Sequence, residues 1–240
     1  MQIAEKLAKK AKDNRQEAPV TIAFYGDSVT QGCFELYKVG EAGHQTVFDK
    51  TSVYHAKIAQ ILSVLYPTVP VNIINAGISG NGAKGALKRL ERDVLKFHPD
   101  LTVVCFGLND SGGGLEGLQD YKDSLEQIFS QLEDVGSEII FMTPNMMATE
   151  VSCHVTDSHF IAIAEDACKR QNEAIMDQYM QAAKEVCAQQ GVRVCDCYEK
   201  WKALAASGVD VTELLANKIN HPTREMHWLF AYSLVETMLM

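Results

Sequence analysis

The sequence has no run of about 18 apolar residues, the length a helix needs to cross a bilayer, so no helical span is expected. Its opening residues, MQIAEKLAKKAKDNRQEAP, lack the unbroken apolar stretch of a secretory signal. Apolar side chains recur there at helical spacing among Lys and Glu, and the expected location is the cytoplasm. Positive charge is also short. Lys and Arg number 22 against 31 Asp and Glu, a net charge of −9, so neither nucleic acid nor an anionic membrane is expected as a partner. No CxxC pair occurs among the seven cysteines, and their number is odd. A disulfide framework and a zinc site are therefore not expected. Cys33, Cys105, Cys153, Cys168, Cys187, Cys195 and Cys197 read as free thiols serving as small apolar residues. Cys195 and Cys197 alternate at what looks like a strand end and would share a face. No repeat, low-complexity tract or linker divides the chain. Residues 1–240 read as one domain, with 1–18 as an N-terminal helical extension. GxxxxGKS and GxxxxGKT are absent, which removes the support for a P-loop, and the GxSxG serine elbow is absent too.

What is present is an ordinary globular composition, 47% hydrophobic and 22% charged, which supports a packed core. Five short runs rich in β-branched or apolar residues read as strands: Val20–Tyr25, Val71–Asn75, Leu101–Phe106, Glu138–Met142 and Val192–Cys195. Segments of helical periodicity lie between and after them: Ser52–Tyr66, Gly82–Phe97, Leu118–Val135, one long stretch from Asp157 to Gln190, and a final one from Arg224. Alternating strands and helices imply parallel pairing through right-handed crossovers. The expected fold is α/β, with a parallel sheet of about five strands and helices on both faces. Three connections look long: Gln31–Thr51, Ser111–Gly117 and Thr143–Thr156. All leave the carboxyl ends of strands, the edge where open parallel sheets build their sites.

Four runs carry chemistry. The first strand ends in Gly26-Asp27-Ser28, which places a serine hydroxyl at a strand-to-helix turn, beside unpaired backbone N–H groups that favour negative charge. A serine is a weak nucleophile without a base in hydrogen-bond reach. Asp27 reads as a turn-stabilising residue. The second strand leads into Ser79-Gly80-Asn81-Gly82, where Gly80 can offer a backbone N–H to a substrate. The third leads into Gly107-Leu108-Asn109-Asp110, where the Asn109 amide can donate to an oxyanion without changing protonation state, an effect worth about 3 kcal/mol of barrier. The fourth is Asn217-Lys218-Ile219-Asn220-His221-Pro222, in which Pro222 biases His221 away from helical geometry and holds the imidazole on a rigid loop. The remaining histidines, His44, His55, His98, His154, His159 and His227, read as structural or surface residues.

In this order the four runs resemble the SGNH hydrolase family, also called GDSL esterases, named for Ser, Gly, Asn and His in separated blocks. The matching residues are Ser28, Gly80, Asn109 and His221. Membership implies a flavodoxin-like three-layer α/β/α fold and hydrolysis of esters or thioesters without a metal or organic cofactor. It also implies Ser28 as nucleophile and His221 as base, with the Ser28 and Gly80 N–H groups and the Asn109 side chain as oxyanion hole. One position departs from the pattern: the family places Asp three residues before the histidine, and here Lys218 stands there. A lysine cannot accept the imidazole N–H and repels an imidazolium. Asn217, a backbone carbonyl or an acid such as Asp210 remain as acceptors, and a neutral acceptor completing a Ser–His dyad is the favoured arrangement. The expected substrate is a small polar ester such as an acetylated sugar, since Gln31–Thr51 mixes Glu35, Lys38, Glu41, His44 and Gln45 with aromatics. A thioesterase or lysophospholipase of the same fold, or an inactive carbohydrate-binding protein, are the alternatives.

Overall fold

The computed structural model describes residues 1–40 and 43–239; Glu41, one of the polar residues noted in the first long connection, lies outside them. The elements run α1 (Gln2–Lys12), β1 (Val20–Gly26), α2 (Ser28–Gln31), β2 (Cys33–Val39), β3 (Gly43–Phe48), α3 (Tyr54–Leu65), β4 (Val71–Gly77), α4 (Ala83–Leu87), α5 (Leu90–Asp93), β5 (Leu101–Cys105), α6 (Leu118–Asp134), β6 (Glu138–Met142), α7 (Ser158–Asn172), α8 (Ile175–Gln190), β7 (Arg193–Cys195), α9 (Cys197–Ala206) and α10 (His227–Leu239).

Five strands form one parallel sheet in the order β4-β1-β5-β6-β7. Counting only these strands along the chain, the order is 2-1-3-4-5, that of a flavodoxin-like three-layer fold. The chain turns one way from β1 to β4 and the other way from β4 to β5, so the crevice lies at the carboxyl ends of β1 and β5. Gly26 pairs with Gly77 of β4 and with Cys105 of β5, so the three strand ends lie level. The sheet is covered on both faces, and β5 is buried at every position, as its apolar run requires. Of residues 1–18 only Gln2–Lys12 is helical, as α1, and this helix packs onto the body while residues 13–18 are exposed. Ile3 and Leu7 are fully buried, and the Glu138 carboxylate accepts from the N–H groups of Gln2 and Ile3 at the start of α1.

The strands fall where the β-branched runs place them. The helices differ more. The stretch Asp157–Gln190 is not one helix: it breaks at Ala174, whose φ of 58° is left-handed. Both halves are amphipathic, so their periodicity runs through the break. The break lets α7 serve the loop after β6, where the Gln171 amide oxygen accepts from Met147 N–H, while α8 packs against α6. Gly82–Phe97 is likewise interrupted, as α4, α5 and a 3-10 turn at Leu95–Phe97. At the break, Arg89 is turned into the sheet, where its guanidinium donates to the carbonyls of Gly26 and Ala76. The connection Gln31–Thr51 is no loop but contains the antiparallel hairpin β2–β3. Cys195 and Cys197 do not share a strand face. Cys195 ends β7 and Cys197 opens α9, with Asp196 between them as helix cap, although the two thiols lie 3.8 Å apart.

Candidate active site

The strand-to-helix turn after β1 is shaped by crowding. A side chain at position 26 would collide with Thr30 Oγ1 and the Cys105 carbonyl, so Gly26 is there for close approach. Asp27 caps α2 by accepting from Val29 N–H at 2.9 Å, the turn-stabilising role expected from the sequence. Ser28 is therefore the first residue of a helix whose opening N–H groups have no intrahelical acceptor.

His221 meets Ser28 across 193 residues of chain. Its Nε2 lies 3.0 Å from Ser28 Oγ, with Ser28 3% and His221 6% exposed. The other nitrogen, Nδ1, lies 2.9 Å from the backbone carbonyl of Phe34. A carbonyl only accepts, so Nδ1 carries the hydrogen and Nε2 is left bare to accept from the serine hydroxyl. Burial holds the imidazole neutral, its pKa pushed down to about 4.

The acceptor on Nδ1 settles what stands where the family pattern has Asp. Asn217 does not reach the imidazole. Its Oδ1 instead accepts from three backbone N–H groups, those of Ile219, Asn220 and His221, at 2.9–3.0 Å. It folds the loop rather than orienting the ring. Asp210 caps its own turn by accepting from Thr212 N–H and Glu213 N–H. Lys218 takes a left-handed backbone conformation, φ 56°, and its ammonium is bound to Glu213, so its charge is turned aside. The backbone carbonyl is the acceptor of the three that the structure provides. No sequence signal marks it, since every residue has a carbonyl.

Asn109 follows β5, and its amide nitrogen donates to the Asn81 carbonyl at 3.1 Å and to Asp27 Oδ2 at 3.3 Å. The side chain is thus joined to the turns after β1 and β4. Gly80 is exposed with a positive φ of 74°, and a side chain there would meet open space. Among the described residues no acceptor is bonded to its N–H. Two carboxyl groups lie behind these donors. Burial raises Asp27 to about 7 and Asp110 to about 6. Asp110 caps α4 through Ala83 N–H, while its second oxygen is buried without a partner. His227, expected to be structural, is fully buried among Phe34, Tyr54 and Phe230, and its Nδ1 accepts from Tyr54 N–H. A cavity of about 330 Å³ lies between β2, residues 154–157 and the loop 216–219, but neither Ser28 nor His221 lines it. The described residues hold no cluster of three or more metal-ligating side chains, and no helix is long and apolar enough to cross a membrane.

A hydroxyl beside a neutral imidazole of fixed tautomer, at the strand ends of a doubly wound sheet, is the geometry that nucleophile-and-base chemistry requires. The chain belongs to the GDSL-like lipase/acylhydrolase family, whose model matches residues 24–229. It is 27% identical to an acetylxylan esterase of Geobacillus stearothermophilus over 132 residues, 51% of this chain and 58% of that enzyme. The match therefore spans little over half the length of that curated relative. A crystal structure of an acetylxylan esterase from the same organism superposes with a TM-score of 0.67 at 23% identity, covering 92% of this chain and 94% of that one. An α/β hydrolase from the metagenome of Lake Arreo, Spain, superposes with a TM-score of 0.68 at 19% identity, covering 93% and 97%. Other structures of the Geobacillus enzyme are of catalytic mutants at a serine, an aspartate and a histidine, the aspartate three residues before the histidine. The present chain has Lys218 three residues before His221.

Proposed function

We propose that this protein is a serine esterase that removes acetyl groups from a carbohydrate or another small polar ester, with Ser28 as nucleophile and His221 as base. The observation that carries the reading is the 3.0 Å contact between Ser28 Oγ and His221 Nε2, with Nδ1 held by an acceptor. His221 takes the serine proton as Oγ attacks the ester carbonyl. The tetrahedral oxyanion is received by the N–H groups of Ser28 and Gly80 and by the Asn109 amide, which leaves its long contact with Asp27 to do so. His221 then protonates the leaving alcohol. Water, deprotonated by the same ring, releases acetate. No step calls on a metal or organic cofactor. The acetyl-sugar preference is supported by the acetylxylan esterase relative and by the polar and aromatic side chains of the hairpin. The test is turnover of acetylated xylo-oligosaccharides against a series of p-nitrophenyl esters from acetate to palmitate, with fluorophosphonate labelling of Ser28. Preference for long chains would replace the acetylesterase reading by a lysophospholipase or thioesterase one. Absence of labelling would leave a binding protein.

The pH dependence follows from the buried groups. The base must be neutral, and burial keeps it so down to about pH 4. The main fall in kcat/KM for an acetyl ester, that of His221, should therefore come toward pH 4 and not at pH 6.5, where an exposed histidine is half protonated. Asp27 titrates at about 7 behind Asn109, so a second, shallower inflection near neutrality belongs to it. Asp27→Asn should remove that inflection and leave the acid limb in place. A pH–rate profile of both proteins measures this, and a limb at 6.5 that persists in Asp27→Asn would contradict it.

Lys218 gives another prediction. Restoring the family carboxylate by Lys218→Asp should change kcat by no more than about threefold. The backbone at 218 directs its side chain to Glu213, and Nδ1 already has its acceptor. A gain of tenfold or more would mean that the loop re-forms around an Asp–His pair.

A further inference from the structure

The carbonyl that holds the imidazole belongs to a hairpin outside the main sheet, so something must set its position. Phe34 lies at an irregularity in that hairpin. Cys33 pairs with Phe48 and Leu36 with Thr46, three steps along β2 against two along β3. The extra residue is a β-bulge over Phe34 and Glu35, which releases the Phe34 carbonyl from the ladder and re-aims the Glu35 side chain. Both groups then turn to the segment that carries His221. Arg224, three residues beyond His221, takes Glu35 in a two-pronged contact, Nη1 to Oε1 at 2.5 Å and Nη2 to Oε2 at 3.1 Å. Its Nε donates to Asp49 Oδ2 at 3.0 Å, just past the end of β3. Asp49 is itself fixed. Its other oxygen accepts from Thr51 and Ser52, and its N–H donates to the Gly32 carbonyl at the base of the hairpin. The guanidinium also lies over the Phe34 ring, 4.3 Å from its centroid, while His227 packs against that ring at 5.1 Å. One side chain therefore ties both legs of the hairpin, and the ring of the residue supplying the carbonyl, to the loop supplying the imidazole.

We infer that Arg224 is a positioning residue for His221, acting through the bulged hairpin to keep the Phe34 carbonyl on Nδ1 in the place an aspartate would occupy. The inference rests on the Ser28–His221 reading and deepens it. A carboxylate on the histidine's own loop needs no external anchor. A carbonyl on a separate hairpin does, and the planar fork of arginine supplies two directions of restraint where lysine supplies one point.

The test uses the full chain with Arg224→Gln, Arg224→Lys, Glu35→Gln and the double variant Arg224→Gln/Glu35→Gln. Three quantities are read: kcat and KM on p-nitrophenyl acetate per site titrated to its end point with fluorophosphonate, the melting temperature, and the His221 Nδ1–H proton signal in ¹⁵N-histidine-labelled protein. Arg224→Gln should lower kcat by about tenfold or more, since a misplacement of about 1 Å can cost a hundredfold, with KM within about twofold. Its Nδ1–H signal should be lost to exchange or shifted, and Arg224→Lys should recover part of both effects. The double variant should be no slower than Arg224→Gln alone, because the two residues act as one unit. The inference is overturned if Arg224→Gln lowers the melting temperature while kcat per titrated site and the Nδ1–H signal stay as in wild type. Should that variant not fold, Glu35→Gln and Arg224→Lys decide by the same readings. A wild type that takes no fluorophosphonate sinks the esterase reading, and the Nδ1–H signal still decides the clamp.

Discussion

Replacing Ser28 with alanine should lower kcat on an acetyl ester by something on the order of a millionfold, as loss of a nucleophile that works as one unit with its base does. The size of the effect comes from the site's construction. Ser28 Oγ is the hydroxyl hydrogen-bonded to His221 Nε2, and that nitrogen is bare because Nδ1 is committed to Phe34. Under the proposed mechanism, the turnover that remains without Oγ reflects the oxyanion donors and substrate binding. KM should change little, because Oγ contributes no large surface to the substrate. Stability should fall moderately. The substitution leaves His221 Nε2 without its buried partner, a cost of about 1–3 kcal/mol. At roughly 2–4 °C of melting temperature per kcal/mol for a chain of this size, the melting temperature should fall by about 2–12 °C. Steady-state kinetics with a melting curve on the same preparation measure both. Retention of a tenth of wild-type activity by folded protein would remove Ser28 from the mechanism.

The second large effect belongs to Asn217, for a reason its place in the sequence does not reveal. Its amide oxygen gathers the N–H groups of Ile219, Asn220 and His221 into one concave turn. The turn is closed behind by Ala216 N–H on the His221 carbonyl at 2.7 Å and Thr223 N–H on the Leu214 carbonyl at 2.9 Å. Asn217→Ala removes the acceptor and leaves three donors, two of them on the buried residues Ile219 and His221. At about 1–3 kcal/mol for each buried donor left unpaired, the loop cannot keep this shape at full occupancy. Stability should fall by several kcal/mol, and kcat by a hundredfold or more in the protein that remains folded, because the imidazole rides on the loop. Asn217→Asp keeps an acceptor oxygen, and charge-assisted bonds to N–H groups are the stronger kind. It should retain most of the stability and activity. Chemical denaturation and kinetics on the pair separate the roles. If alanine and aspartate behave alike, the side chain is not what organises the loop.

These two residues show how unevenly the site could be read in advance. Ser28, Asn109 and His221 are recognisable because each follows a strand or precedes a proline, and each has a side chain suited to one task. Asn217 is visible as a polar residue near the histidine and as one of three candidate acceptors, but which groups its amide oxygen faces is not. An amide oxygen facing a ring and one facing three backbone N–H groups have the same sequence, and the left-handed turn at Lys218 decides between them. Arg224 was visible only as the start of a helical stretch. Its partners Glu35 and Asp49 lie more than 170 residues away, in a segment whose mixed polarity hides a hairpin. The broken helices at Ala174 and Arg89 escaped for a related reason, since apolar periodicity passes smoothly through a kink that only packing demands.

By itself the sequence determined the five strands, their parallel pairing and the edge of the sheet on which the chemistry gathers. These follow from side-chain branching, periodicity and turn residues acting over a few positions. It determined as well that a carboxylate is missing from the place three residues before His221. What stands in for that carboxylate was decided only in three dimensions. Each backbone carbonyl is chemically the same as the next, and which one is free to hold an imidazole depends on where a bulge breaks the ladder and on what pins that bulge to the far end of the chain.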